Sequence, residues 1–341
     1  MDKAATPPSS ARYEHGRGRH ANKPSDVPAQ GWLDILTRTK QQLVDDNLTI
    51  VGAGVAFYGF VAVVPSLAAV IAIYALVADP AQISDHIESL AQVVPGEVMP
   101  MLREQITRIT SDQQAAGISL AISVLIAIYS ASRAMVALIT GLNIAYDEDE
   151  KRGFMKLNGV ALLLTLFALA GAVLAVGLVA VLPSILSHLP IAGGTETLLT
   201  WLRWPVLVGG FMAALSVFYR YAPSRNEAQW KWVSWGAVVA TGLWLLGSIV
   251  FSLYVSKFGS YDKTYGSLGA IIVFLFWLYI SAFVVLIGAE INAETERQTL
   301  KDTTDNPDEP LGDRGARAAD TVGPGREDLQ KKKDAKPQNL G

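Results

Sequence analysis

The chain has 341 residues, is 51% hydrophobic, and carries a net charge of −3 with a mean hydropathy of +0.31. So mild a charge gives no reason to expect a nucleic-acid partner, and the absence of cysteine excludes disulfides, cysteine-held zinc and thiol catalysis. Six apolar runs near or above the ~18 residues of a membrane span set the class, while the short alternating segments of a β-barrel are missing.

The expected fold is all-α: a polytopic helical bundle with six transmembrane helices, an N-terminal amphipathic helix and short extracytoplasmic capping helices. Residues 1–30 are polar and rich in Pro and Ser, hold no apolar segment of the kind a cleavable signal needs, and read as disordered. From Trp32 to Leu48, apolar residues recur at helical spacing among Lys, Arg, Asp and Gln. This reads as an amphipathic helix on the membrane surface, with a soluble helix packed on a loop as the alternative.

Ile50–Val77 is the first span. Gly52 and Gly59 allow close helix approach there, and Pro65 is expected to kink it. Asp79 to Ala116 is a long polar connection broken at Pro95-Gly96, read as two short capping helices. The second span, Ile118–Tyr146, is nearly all apolar around one arginine, Arg133. The acidic-basic run Asp147–Arg152 is a solvated loop, and Leu157–Leu182 is the third span. The fourth is Trp201–Tyr221. A basic turn from Arg220 to Lys231 follows, where Tyr219, Tyr221, Trp230, Trp232 and Trp235 read as an interfacial aromatic belt. Val233–Val255 and Ser267–Ala289 are the fifth and sixth spans. From Thr295 onward the chain reads as disordered, so the expected domains are a tail at 1–30, a membrane domain at 31–294 and a tail at 295–341.

Orientation follows from Lys and Arg. The short loops on the side of the termini hold Lys151, Arg152, Lys156, Arg220, Arg225 and Lys231, against Lys257 and Lys263 opposite. The positive-inside rule then puts both termini in the cytoplasm, as expected for a multi-pass membrane protein.

Arg133 is the sharpest functional signal. Placed near the middle of its span, it costs about 2.5–3.5 kcal/mol even on lenient insertion scales and cannot shed its proton. It either lines a polar cavity with Tyr129, Ser130 and Ser132 and meets an anionic substrate group, or pins helices together through backbone carbonyls and a buried acid. Glu290, at the end of the sixth span, is a candidate ion-pair partner, although its depth differs from that of Arg133. Asp262, Lys263 and Tyr265 are gate candidates in the outer turn, where a plain polar turn explains the same letters. Gly266 and Gly269 mark expected close packing. No chain of buried Asp and Glu points to proton coupling.

Four segments resemble one family. They are AGVAFYGFVAVVP (Ala53–Pro65), YSASRAMVALITGLNIAYDEDEKRGF (Tyr129–Phe154), FYRYAPSR (Phe218–Arg225) and the run from Trp235 to Glu294. The chain is similar to the YihY/virulence factor BrkB family of bacterial inner-membrane proteins over about residues 32–296. That resemblance implies a six-span helical fold in the cytoplasmic membrane and a general link to envelope integrity and lipid transport. Some members once carried the label ribonuclease BN. The residues speak against a nuclease: the four histidines, His15, His20, His86 and His188, form no ligand cluster.

The expectation is therefore a transporter or flippase-like protein for an anionic, envelope-lipid-like amphiphile, with membrane lipids as partners, no nucleic acid, no cofactor, no metal and no enzymatic activity. A non-transporting membrane scaffold is the alternative. Oligomeric state is left open.

Overall fold

A computed structural model describes residues 16–77, 113–181, 193–257 and 267–334. Its helices are α1 (Ala29–Asp45), α2 (Leu48–Val77), α3 (Gln113–Ala145), α4 (Phe154–Val176, continued by a π-helical turn Gly177–Val181), α5 (Gly193–Tyr221), α6 (Trp230–Lys257), α7 (Ser267–Glu296), α8 (Arg317–Asp320) and α9 (Arg326–Asp334). Among the described residues there is no strand, only an isolated bridge between Ala228 and Thr304.

Helices α3 to α7 are each long and apolar enough to cross a membrane. The count rises to six if α1 and the first half of α2, two helices bent by 64° at their junction, are taken as one span. The corner is made by Asn47, whose φ of 50° lies in the left-handed region that asparagine tolerates. Pro65, by contrast, sits within the continuous helix α2, so the described bend lies at Asp46–Asn47.

Helix α2 packs on α3 and α7, α7 on α6 and α1, and α6 on α5; α4 leans mainly on α3 and only lightly on α5. The tightest crossing is α6 against α7. A Cβ on Gly236 would collide with the Gly288 carbonyl, and one on Gly288 with the Tyr219 hydroxyl. Of the glycines expected to mark close packing, Gly52 would place a Cβ in ordinary contact with Phe283, at 3.5 Å, and Gly59 lies beside Leu278. Gly269 faces open space, so its expected packing role is corrected, and Gly266 lies outside the described residues.

Burial is lopsided along the bundle. The core of Met135, Ile139, Leu142, Leu164, Leu215, Phe218, Tyr219, Val233, Ala237, Val284 and Leu286 fills the half toward the face where both terminal segments gather, the terminal face. In the other half, no described side chain is buried on α4 beyond Thr165, on α5 before Leu215, on α6 beyond Thr241, or on α7 before Ala282. Ring pairs such as Phe274–Trp277 and Phe251–Phe276 still line neighbouring turns there. Among the described residues, the far halves of α4 to α7 meet pairwise without closing over a common interior.

The two segments expected to be disordered are packed over residues 16–30 and 297–334, a correction to the sequence reading. Leu300 N donates to the Arg19 carbonyl at 2.8 Å, and Gly323 N to the Arg297 carbonyl at 2.9 Å. The Arg314 guanidinium donates to the carbonyls of Leu300, Lys301, Glu309 and Ala319. Composition reports how little apolar area a segment can bury. Here order comes instead from hydrogen bonds onto a platform that the helix ends supply. The same platform explains α1, which buries Asp34, Arg38 and Thr39 and leaves Leu33 and Leu36 exposed. The expected capping helices lie outside the described residues.

Candidate functional site

Arg133 projects from α3 to Asn158 on α4, to which its Nη2 donates, and its Cζ stands 5.4 Å from the centre of the Tyr129 ring. Asn158 is the fifth residue of α4, roughly 6 Å along the axis from its start. Phe154 and Met155 at that start are 79% and 87% exposed, as apolar residues at a membrane boundary would be. The guanidinium therefore lies about one turn inside α4, not at its midpoint. The reason is an offset: α3 runs about 18 Å beyond Arg133, and α4 begins inside that level. Ser132 is buried and Ser130 half-buried, while Tyr129 faces outward at 64% exposure. The four residues thus form no enclosed pocket of their own, and Nε of Arg133 is buried without a partner.

Glu290 does not pair with Arg133. It is 0% exposed, and neither carboxylate oxygen has a hydrogen-bond partner. Helix α7 extends two turns beyond the expected end of the sixth span, so Glu290 lies in protein rather than in interfacial water. Around it stands a buried polar layer. Arg38 on α1 holds the Glu294 carboxylate, donates to the Glu294 carbonyl at 2.8 Å, and reaches Gln298 Oε1 at 2.9 Å. Arg297 joins Glu294, at 2.6 Å, to Asp147. Arg225 meets Glu296 through two bonds, of 3.0 and 2.6 Å, and Thr303 donates to the same carboxylate at 2.6 Å. Asn292 caps the glycine crossing, accepting from Gly236 N at 2.7 Å and donating to the Val233 carbonyl at 3.1 Å. At the α1–α2 corner, burial and the nearby Asp147 push the Asp46 carboxyl up to about 6, against the pull of Arg297.

Two of the cavities at this face are lined by several cationic side chains. One, of about 240 Å³, is lined by Arg38, Asp147, Glu294, Arg297 and Arg317 among others. The second is a crevice of about 610 Å³ between α4 and the α5–α6 turn. Lys151, Arg152, Lys156, Arg220 and Arg225 line its polar side; Val160, Leu163 and Leu164 of α4 line the other. Glu150 holds Arg152 at 2.7 Å, and Asp305 and Glu227 hold Arg220 at 2.6 and 3.0 Å. Each guanidinium has five N–H donors, so one fixed by a carboxylate can still offer donors to a second anion.

The acidic-basic run after α3 is solvated only in part: Asp149, Glu150 and Lys151 are exposed, but Glu148 is buried and accepts from Arg317 N at 2.6 Å. In the expected aromatic belt, Tyr221, Trp230 and Trp235 are exposed, but Tyr219 and Trp232 are interior. Asp262, Lys263 and Tyr265 lie outside the described residues. Among the described residues, no group of three or more His, Cys, Asp or Glu could hold a metal ion.

A bundle of five or six membrane-length helices, sealed at one end by a folded polar layer, is a polytopic helical membrane protein. Residues 39–312 match the family model for Virulence factor BrkB, and the chain belongs to that family. It is 33% identical over 219 residues to the ribonuclease-like protein YfkH of Bacillus subtilis, a match covering 63% of this chain and 78% of that one. A UPF0761 membrane protein of Methylibium petroleiphilum is 23% identical over 278 residues, covering 77% of this chain and 62% of that one. Another, of Idiomarina loihiensis, is 30% identical over 102 residues, which is 30% of this chain and 36% of the relative. No solved structure matches.

Proposed function

We propose that this protein binds an anionic amphiphile of the membrane glycerophospholipid class and carries it between leaflets along the α4–α5 side of the bundle. The observation that carries this reading is the crevice, where basic side chains stand across from Val160, Leu163 and Leu164. A phosphate headgroup and its acyl chains need that pairing of donors and aliphatic wall. Beyond the crevice, α4 to α7 bury no described side chain over their far halves, which leaves room for a tail to travel. Helix α4 is the common wall, and Arg133, tied to it through Asn158, is a second cation on the same route. With the termini cytoplasmic, the crevice loads from the inner leaflet.

The test uses the full chain reconstituted into vesicles, with fluorescent phosphatidylglycerol or phosphatidylcholine as the lipid probe. The protein is expected to expose inner-leaflet phosphatidylglycerol to an external quencher, and to do so faster than phosphatidylcholine. Leu163→Arg is expected to block the crevice, and Lys156→Ala to weaken the headgroup preference. Exposure no faster than in protein-free vesicles overturns the proposal.

The folded layer of residues 16–30 and 297–334 favours a second reading, a scaffold that docks envelope components on its terminal face. That reading predicts no lipid movement and the loss of membrane complexes when the layer is removed.

A further inference from the structure

Glu290 is unlike every other carboxylate in the polar layer. Glu294 and Glu296 are just as buried, yet each is held by guanidinia: Glu294 by Arg38 and Arg297, Glu296 by Arg225. Both Glu290 oxygens are buried and receive no donor. One more oxygen in its electrostatic surroundings is equally orphaned, Asp46 Oδ2. A buried carboxylate with neither counter-ion nor donor is costly, and so is a second acid brought close to it.

The charged groups around Glu290 are known element by element. The α1–α2 corner contributes Asp46, with Arg38 behind it on Glu294. The turn after α3 contributes Asp147 and, just before it, Tyr146. Helix α7 contributes Glu294, and Arg297 follows from its end. Asp46, Asp147, Glu290 and Glu294 thus set four carboxylates against two guanidinia. The 240 Å³ cavity shares Asp147, Glu294 and Arg297 with these surroundings, while Glu290 and Asp46 do not line it.

We propose that Glu290, with Asp46 across the helix corner, forms a proton-binding site. A single proton held between the two acids halves the uncompensated charge, and it gives one orphan oxygen a donor with which to satisfy another. This site stands apart from lipid movement: it requires binding only, and is read by binding.

The test uses the full chain in detergent and infrared difference spectra from about pH 4 to about pH 9. A buried carboxyl band is expected to persist at neutral pH in the natural chain and to be lost in Glu290→Gln. Asp46→Asn is expected to keep the band and move its titration midpoint about one pH unit lower. Because glutamine copies a protonated glutamate in shape, Glu290→Gln is also expected to melt at nearly the natural temperature. No such band at neutral pH overturns the proposal, and so does a band unchanged in both variants. Should Glu290→Gln not fold, the Asp46→Asn midpoint decides alone: a shift supports the site and an unmoved midpoint overturns it.

Discussion

Arg38 and Glu294 join the surface helix α1 to the end of α7 through side chain and backbone at once. The guanidinium holds the Glu294 carboxylate, its carbonyl and Gln298 Oε1 together, and both side chains are buried. Removing one partner of a buried ion pair strands the other. Arg38→Ala is therefore expected to destabilise by about 3 kcal/mol, the low end of that class, because Arg297 still meets Glu294. Arg38→Lys is expected to recover little, since an ammonium cannot span three acceptors held in a planar fork. Melting of the detergent-purified variants, set in a cycle with Glu294→Gln, checks both; a cycle with no coupling between the two positions would sink the claim.

A second expectation concerns the glycines. Gly288→Ala and Gly236→Ala each drive a methyl into the backbone of the facing helix or into Tyr219, and are expected to cost about 1–3 kcal/mol as overpacked contacts. Gly269→Ala meets nothing within 4 Å and is expected to be neutral, or to stabilise by up to about 1 kcal/mol through helix propensity. Thermal melts of the three variants side by side separate these outcomes. Equal effects at Gly269 and Gly288 would count against the packing described for α6 and α7.

These glycines mark where the sequence was legible and where it was not. Run length and hydropathy located the spans, because a bilayer demands a fixed stretch of apolar helix and α3 to α7 obey it. A glycine's letter, however, carries no information on what faces it; Gly236 and Gly288 matter because each faces the other's backbone, with Asn292 and Tyr219 converging there. Likewise Arg133 was visible as a charge in an apolar run, but its depth depends on the offset between α3 and α4. The polar layer was hidden more completely. Arg297 and Arg314 sit in a segment whose composition matches a solvated tail, and Arg38, in a helix read as lying on the membrane surface, finds Glu294 256 positions away.

The acids give a pH signature of opposite signs. Asp46 titrates in the folded protein near 6, above its ordinary 3.8, so the folded state binds the extra proton. Its contribution is complete below the unfolded value and falls as pH rises from about 4 to about 6. Burial alone would raise Glu150, but the side-chain and backbone hydrogen bonds from Arg152 and the bond from Asn143 bring it down to about 2, from 4.5. Its contribution is complete above about 4.5 and is lost as pH falls toward about 2. Melting temperature against pH is expected to lose its decline between about pH 4 and about pH 6 in Asp46→Asn, and to lose part of its acid limb in Glu150→Gln. A natural-type profile in Asp46→Asn would show that this carboxyl does not set the upper slope.

The lopsided burial makes a prediction that the absence of cysteine renders easy to read. Single cysteines introduced along α6, at Leu245, Leu246, Ile249, Val250 and Leu253, start from residues that are all exposed in the isolated chain. In a bilayer, exposure has two meanings. A position against lipid stays dry and its thiol stays unreactive, whereas one facing a wet hollow ionises and reacts with an impermeant maleimide. If α4 to α7 splay around a hollow, labelling in membranes follows the ~3.6-residue helical period, reactive on the inward stripe and silent on the lipid stripe. A cysteine at Leu142 or Leu286, each 0% exposed in the packed half, is expected to stay silent throughout. Uniform silence along α6 would mean that the far halves close in the membrane. The lipid route would then need a conformation other than this one.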